Sequence, residues 1–202
     1  MDLIYIANTG PHVDAANAAG VDRIMVDLEV LGKKERQGHL NTVISHHTLD
    51  DVAFVRSRLT GPRMMVRVNP IHETSVQEIN DVISMGAETI MLPMFKAVEE
   101  VEVFLSIVRG RARACLLLET APALARAERI LGVRGIDEVH VGLNDLHLAL
   151  GLDFMFEVLT GGFLITFPES AGTAALNSGL GELRGQGMDF CRRRISSWST
   201  LG

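Results

Sequence analysis

The sequence predicts an α/β protein of the (β/α)8 TIM-barrel type, incomplete, with six recognisable β/α units. Three observations carry that expectation. Short apolar, β-branched runs alternate with segments of helical period, the pattern of a parallel sheet covered by helices. The other architecture with that pattern is an open doubly wound sheet, but the first β–α loop, ANTGPHVD, lacks the glycine-rich turn of its dinucleotide-binding version. Polar residues also collect, strand after strand, at the C-terminal strand ends, where barrels carry their catalytic groups.

The elements follow in order. LIYIAN (3–8) reads as a strand and HVDAANAAG as a short helix ended by Gly20. RIMVDLE (23–29) is the second strand, and a polar stretch leads to a helix near 48–59. RMMVRVN (63–69) is the third strand; Ser75 and Glu78 have the spacing of a capping box, opening a helix that stops at Gly86. TIMLPM (89–94) is the fourth strand, followed by a helix over AVEEVEVFLSIVRG, apolar at three- and four-residue spacing and closed by glycine. RACLLLET (113–120), a helix over LARAERILGV, and EVHVGLND (138–145) complete the sixth unit.

Composition narrows the function. The chain has 202 residues, 47% hydrophobic and 22% charged, with a net charge of -6, enough for one domain with a core. Apart from Arg192–Arg194 there is no basic cluster, so no nucleic-acid partner is expected. No apolar run approaches the roughly 20 residues of a membrane span. The start, MDLIYIANTG, lacks the basic and long apolar segments of a signal peptide, so a cytoplasmic protein without a membrane partner is expected. Cys115 and Cys191 form no metal spacing, and Cys115 reads as a small core residue.

The strand ends read Asp27-Leu28-Glu29, Arg67-Val68-Asn69, Pro93-Met94, Glu119-Thr120 and Asn144-Asp145. Neighbouring strands lie about 4.8 Å apart, so Glu119 and Asp145, closing consecutive strands, can converge on one point. Two carboxylates that close share a proton or bind a cation. Oxygen donors without Cys or His favour Mg²⁺ or Mn²⁺. Two helix-capping acids would look the same in sequence, and Thr120 or Asn144 could cap equally well. Arg67, on an otherwise apolar strand, needs an anion: a carboxylate or enolate oxygen of a substrate, a structural partner in Asp27 or Glu29, or both. A metal held by two acids and facing an arginine suits a 2-oxo acid, whose enolate that charge would stabilise.

These residues resemble the HpcH/HpaI aldolase and citrate lyase β-subunit family, with its phosphoenolpyruvate/pyruvate-binding barrel, over roughly residues 15–162. AGVDRIMVDLE, MVRVNP, GAETIMLPM, LLLET and VGLNDLHLALG carry the resemblance in order and spacing. It implies a metal-dependent carbon–carbon lyase. Glu119 and Asp145 would be the metal ligands, and Arg67, with Asp27 and Glu29, the catalytic set. Asn69, Pro93, Gly142, Leu143 and Asn144 would bind substrate, in part through backbone amides. It also implies a homo-oligomer. The aldolase branch carries a histidine directly after the second-strand acid; here that position is Val30, leaving His39, His46, His47 and His72 as substitutes, although loop histidines are usually plain surface. VDLEVLGKKER resembles the citrate-lyase branch instead, which implies an acyl-CoA substrate as the alternative. An inactive remnant, its acids merely capping helices, is the third reading.

After Gly161-Gly162 the composition changes: nineteen valines precede that point and none follows. A one-base shift from Ala175 onward, with permitted codons, converts the tail to AEFGFGGVARPGHGLLPAEDLVVEHAR, which reads as the expected next strand and helix. Residues 1–162 are therefore expected to form the partial barrel and 163–202 an out-of-frame, poorly ordered tail. Without two further units the barrel would keep raw sheet edges and marginal stability.

Overall fold

The computed structural model describes residues 2–32 and 47–160, together with a short strand at 174–175. The expectations for His39, His46 and Cys191, and those for the rest of the tail, fall outside the described residues.

Strands β1 (Ile4–Ile6), β2 (Arg23–Asp27), β3 (Arg63–Arg67), β4 (Thr89–Leu92), β5 (Arg113–Leu118), β6 (Glu138–Val141) and β7 (Ala174–Ala175) form one sheet. Their order in space is their order in the chain, and every neighbouring pair is parallel. A doubly wound sheet would reverse its strand order at a switch point. This sheet does not, so the architecture is an incomplete (β/α)8 barrel. The helices are α1 (Gly10–Ala19), α2 (Leu49–Arg58), α3 (Ser75–Ser84), α4 (Val98–Val108), α5 (Ala121–Leu124), α6 (Ala127–Leu131), α7 (Leu143–Leu150) and α8 (Glu157–Thr160).

Side chains along a strand alternate between two faces, and both faces here are buried. The outer set, including Ile24, Val26, Met64, Val66, Ile90, Leu92, Leu116 and Val139, packs on helix residues such as Val52, Ile79 and Phe104. The inner set is Met25, Met65, Met91, Cys115 and Leu117. Burial on both faces explains the near-continuous apolar runs in the sequence.

Three expectations are corrected. The strands stop two to four residues early, so Glu29, Asn69, Glu119 and Asp145 lie just past the sheet rather than in it. The helix expected over 124–133 is two short ones, α5 and α6. The capping box expected at Ser75 and Glu78 is absent: Ser75 is already helical, and Thr74, the N-cap, makes no side-chain cap bond. Ser75 Oγ instead accepts from the His72 amide at 2.8 Å, and Glu78 Oε1 accepts from Asn69 Nδ2 at 2.7 Å. A true capping box sits at Thr48 and Asp51, opening α2.

Candidate active site

Parallel strands place all their C-terminal ends on one edge, and the site residues gather there. Arg67 is the Cα partner of Asp27 across β2 and β3. Its Nε and Nη2 donate to Asp27 Oδ1 and Oδ2, each at 2.8 Å, a two-pronged charge-assisted clamp. Its Nη1 stands 3.5 Å from Glu29 Oε2. Burial works against the guanidinium charge, yet the bonds and charge of Asp27, then the charges of Glu29 and Glu119, raise its pKa. Arg67 therefore stays charged. The structural partnership considered for it is present, and two of its five N–H donors are committed to Asp27.

Asp27 is fully buried and also accepts the Glu29 amide at 3.2 Å. Its own amide donates to His47 Nδ1 at 3.0 Å. Of the described histidines weighed as substitutes for the Val30 position, His47 reaches this clamp. His72 is tied into the loop after β3, with Nδ1 2.9 Å from the Pro70 carbonyl and Nε2 3.0 Å from Thr74 Oγ1.

Glu119 follows β5 and is buried. The helix beside it is capped by Thr120, whose hydroxyl accepts from Ala123 N at 3.2 Å and donates to the Phe95 carbonyl at 2.8 Å. Glu119 is thus not the cap. Its Oε1 accepts from the Met94 amide at 3.0 Å, and Met94 holds a left-handed φ of 55° to present that amide. For a non-glycine residue this conformation costs energy, and it falls at the site. The Glu119 carboxyl is pushed up to about 8, first by burial and then by the charges of Glu29 and Asp145, against Arg67 and the Met94 amide.

Asp145 lies in the first turn of α7, whose N-cap is Gly142 with no capping side chain. In that turn the amides of Leu143 and Asn144 have no intrahelical carbonyl to meet. Gly142 makes room for Glu119: an added Cβ would approach Glu119 Oε2 to 2.8 Å. Leu143 is buried against Leu146 and Val158 behind the site. Pro93 is buried where β4 hands over to Met94. Asn69, expected at the substrate, is engaged in structure. Its Oδ1 accepts from the Val30 and Leu31 amides at 2.9 and 3.0 Å, and its Nδ2 donates to Glu78.

Glu119, Glu29 and Asp145 offer the oxygen donors a hard divalent cation prefers, and burial first, then the charges of Glu29 and Asp145, favours a proton on Glu119. The left-handed backbone of Met94 has no signal in its residue type, and the contact of His47 with the Asp27 amide depends on the fold.

Comparison with known proteins bears on the family and the fold. The family model for HpcH/HpaI aldolase/citrate lyase matches residues 4–156. An HpcH/HpaI aldolase from Desulfitobacterium hafniense DCB-2 superposes with a TM-score of 0.58 at 19% identity, covering 76% of this chain and 67% of that one. An HpcH/HpaI aldolase/citrate lyase family protein from Burkholderia cenocepacia J2315 gives 0.63 at 16% identity, covering 88% and 79%. The protein CitE from Mycobacterium tuberculosis, in complex with magnesium and acetate, gives 0.53 at 19% identity, covering 76% of this chain and 59% of its own. At these identities the likeness is one of fold. No curated protein matches the sequence. No helix among the described residues is long and apolar enough to cross a membrane.

Proposed function

The chain belongs to the HpcH/HpaI aldolase/citrate lyase family, and from that premise we propose that it is a divalent-metal-dependent carbon–carbon lyase acting on a 2-oxo acid through a pyruvate-type enolate. The observation that carries this reading is the Arg67–Asp27 clamp standing beside the acid group of Glu29, Glu119 and Asp145 at one strand edge.

Glu119 and Asp145 would hold Mg²⁺ or Mn²⁺, the ion supplying Lewis-acid charge for the carboxylate and keto oxygens of the substrate. Arg67 carries a fixed positive charge that Asp27 orients, and its uncommitted N–H donors stabilise negative charge growing on the keto oxygen. Asp27 is a positioning residue in this scheme, since its carboxylate is spent on Arg67 and the Glu29 amide. The first-turn amides of Leu143 and Asn144 suit the substrate carboxylate. Pro93 and Gly142 shape the space around it, and Asn69 acts by holding the Glu29 loop. His47 accepts the Asp27 amide at Nδ1, so its neutral ring carries the proton on Nε2 and can move it. We place the catalytic unit in residues 1–162 and read residues 163–202 as an out-of-frame tail, which the coding DNA will decide.

The test is exchange of pyruvate methyl protons with deuterated water, followed by NMR, with Mn²⁺ or Mg²⁺ present. The reaction needs enolate formation and no aldehyde partner. Metal-dependent exchange that disappears in Arg67→Ala is expected. No exchange, either here or in a frame-restored chain, would end the pyruvate reading and favour the acyl-CoA lyase or the inactive remnant. Protection from thermal unfolding by an acyl-CoA separates those two.

A further inference from the structure

A second set of metal-ligand side chains lies at the opposite end of the same strands. Alternation puts Cys115, Leu117 and Glu119 on one inward face, and Glu138, His140 and Gly142 on the inward face of the neighbouring strand. Cys115 pairs with Glu138 and Leu117 with His140 in the β5–β6 register. Cys115 lies in β5 four residues before Glu119, which follows the strand, about 13 Å of extended chain. The two clusters therefore sit at the floor and the rim of one barrel wall.

We propose that Cys115, Glu138 and His140 form a metal site of their own, for a borderline-soft divalent cation of the zinc class with water as a fourth ligand. All three residues are buried, and one ligand atom from each lies within 4.8 Å of the others. Sulfur, imidazole nitrogen and a single carboxylate select zinc-like ions over magnesium. The independent sign is His140. Its ring is 2% exposed, and neither Nδ1 nor Nε2 has a hydrogen-bond partner. Its Nε2 is 3.5 Å from Glu138 Oε2, an ion-pair distance without hydrogen-bond geometry. A buried imidazole with Nδ1 unmet and Nε2 held only at a long 3.5 Å from a carboxylate is costly unless something occupies the space between it and its neighbours.

The surroundings suit the carboxylate's part. Glu138 Oε2 accepts from Arg23 Nη1 at 2.6 Å, and Oε1 accepts from Arg113 Nε at 2.9 Å. A carboxylate oxygen has two lone pairs, so each can keep its arginine and still meet a cation. Burial alone would raise the Glu138 pKa; contacts with His140, Arg23 and Arg113 outweigh it and hold the group ionised. Burial pushes the Cys115 thiol up, so coordination must release its proton to solvent, leaving the thiolate on the metal. Such an ion would join β5 to β6 at the barrel floor. The site is independent of the reading of the rim.

The test is cobalt as a spectroscopic stand-in, loaded during folding by producing the full chain in cobalt-supplemented medium. The expected result is a sulfur-to-cobalt charge-transfer band in the near ultraviolet. It should persist in Glu119→Gln and in Cys191→Ser, and be lost in Cys115→Ser and in His140→Phe. Should Cys115→Ser fail to fold, Cys191→Ser decides, since Cys115 is then the one thiol left to give the band. Folded, cobalt-grown wild type with no sulfur band would mean that only water meets His140, and would overturn the proposal. A band lost in Cys191→Ser but kept in Cys115→Ser would overturn it equally.

Discussion

A Cβ placed on Gly142 would stand 2.7 Å from the Cβ of Glu119, closer than packed carbon atoms come. The φ of Gly142 is -82°, open to any residue, so space and not backbone freedom demands the glycine. Gly142→Ala must shift Glu119 or spread β5 from β6. We expect a loss of about 1–3 kcal/mol in stability from the overpacking. Mn²⁺ affinity in calorimetric titration should fall with it. An alanine variant with unchanged Mn²⁺ affinity would dissociate Glu119 from the metal.

The raised pKa of Glu119, about 8, makes two pH predictions of opposite sign. Without metal, the folded chain holds this proton more tightly than the unfolded chain does. The stability it contributes is whole below the ordinary value of 4.5 and is lost as pH rises through about 8. The melting temperature of the metal-free chain should therefore decline across that window. A cation takes the proton's place, so Mn²⁺ binding should tighten by about tenfold per pH unit up to that value and then level off. Titrations in two buffers of different ionisation enthalpy would read the released proton directly. A flat affinity profile would remove Glu119 from the ligand set.

The Arg67–Asp27 clamp separates stability from chemistry. Asp27 is fully buried, so Arg67→Ala strands an uncompensated charge and should cost about 3–5 kcal/mol in denaturant unfolding. Replacing both partners, Asp27→Leu with Arg67→Met, should recover most of that loss, because an apolar pair carries no desolvation penalty. Pyruvate proton exchange should stay absent in the double variant. Exchange that returned with stability would make the clamp a structural pair only.

Much of this arrangement was legible before the fold was known. Apolar runs such as RIMVD and ACLLL, punctuated by glycines at helix ends, predict the parallel sheet and its chain-order strands. The acids at the rim were legible because a charge directly after such a run has few structural uses. What stayed hidden depends on partners far apart in sequence. Glu78 has the spacing of a cap, yet it reaches back to Asn69. Thr120 and Glu119 are adjacent, and only the loop carrying Phe95 and Met94 decides which one caps the helix and which one faces the site. Cys115 and His140 are 25 residues apart in number and come together only through the β5–β6 register.

Asn69 offers a test of how the rim is held. Its side chain joins three segments: the Val30 and Leu31 amides after β2, its own loop after β3, and Glu78 on α3. Glu29, one residue before that pair of amides, is the carboxylate beside Arg67 Nη1. Asn69→Ala would leave the Val30 and Leu31 amides without their partner, while Glu78 Oε1 kept only the backbone amide of residue 69, a cost of about 1–3 kcal/mol. The loop carrying Glu29 would then loosen while Arg67 and Asp27 kept their bonds. If Asn69 acts through that loop, metal affinity should hold nearly constant while pyruvate exchange slows, and hydrogen exchange at the Val30 and Leu31 amides should rise. If Asn69 instead touches the substrate, the variant should weaken pyruvate binding with those amides still protected, and the loop account would be lost.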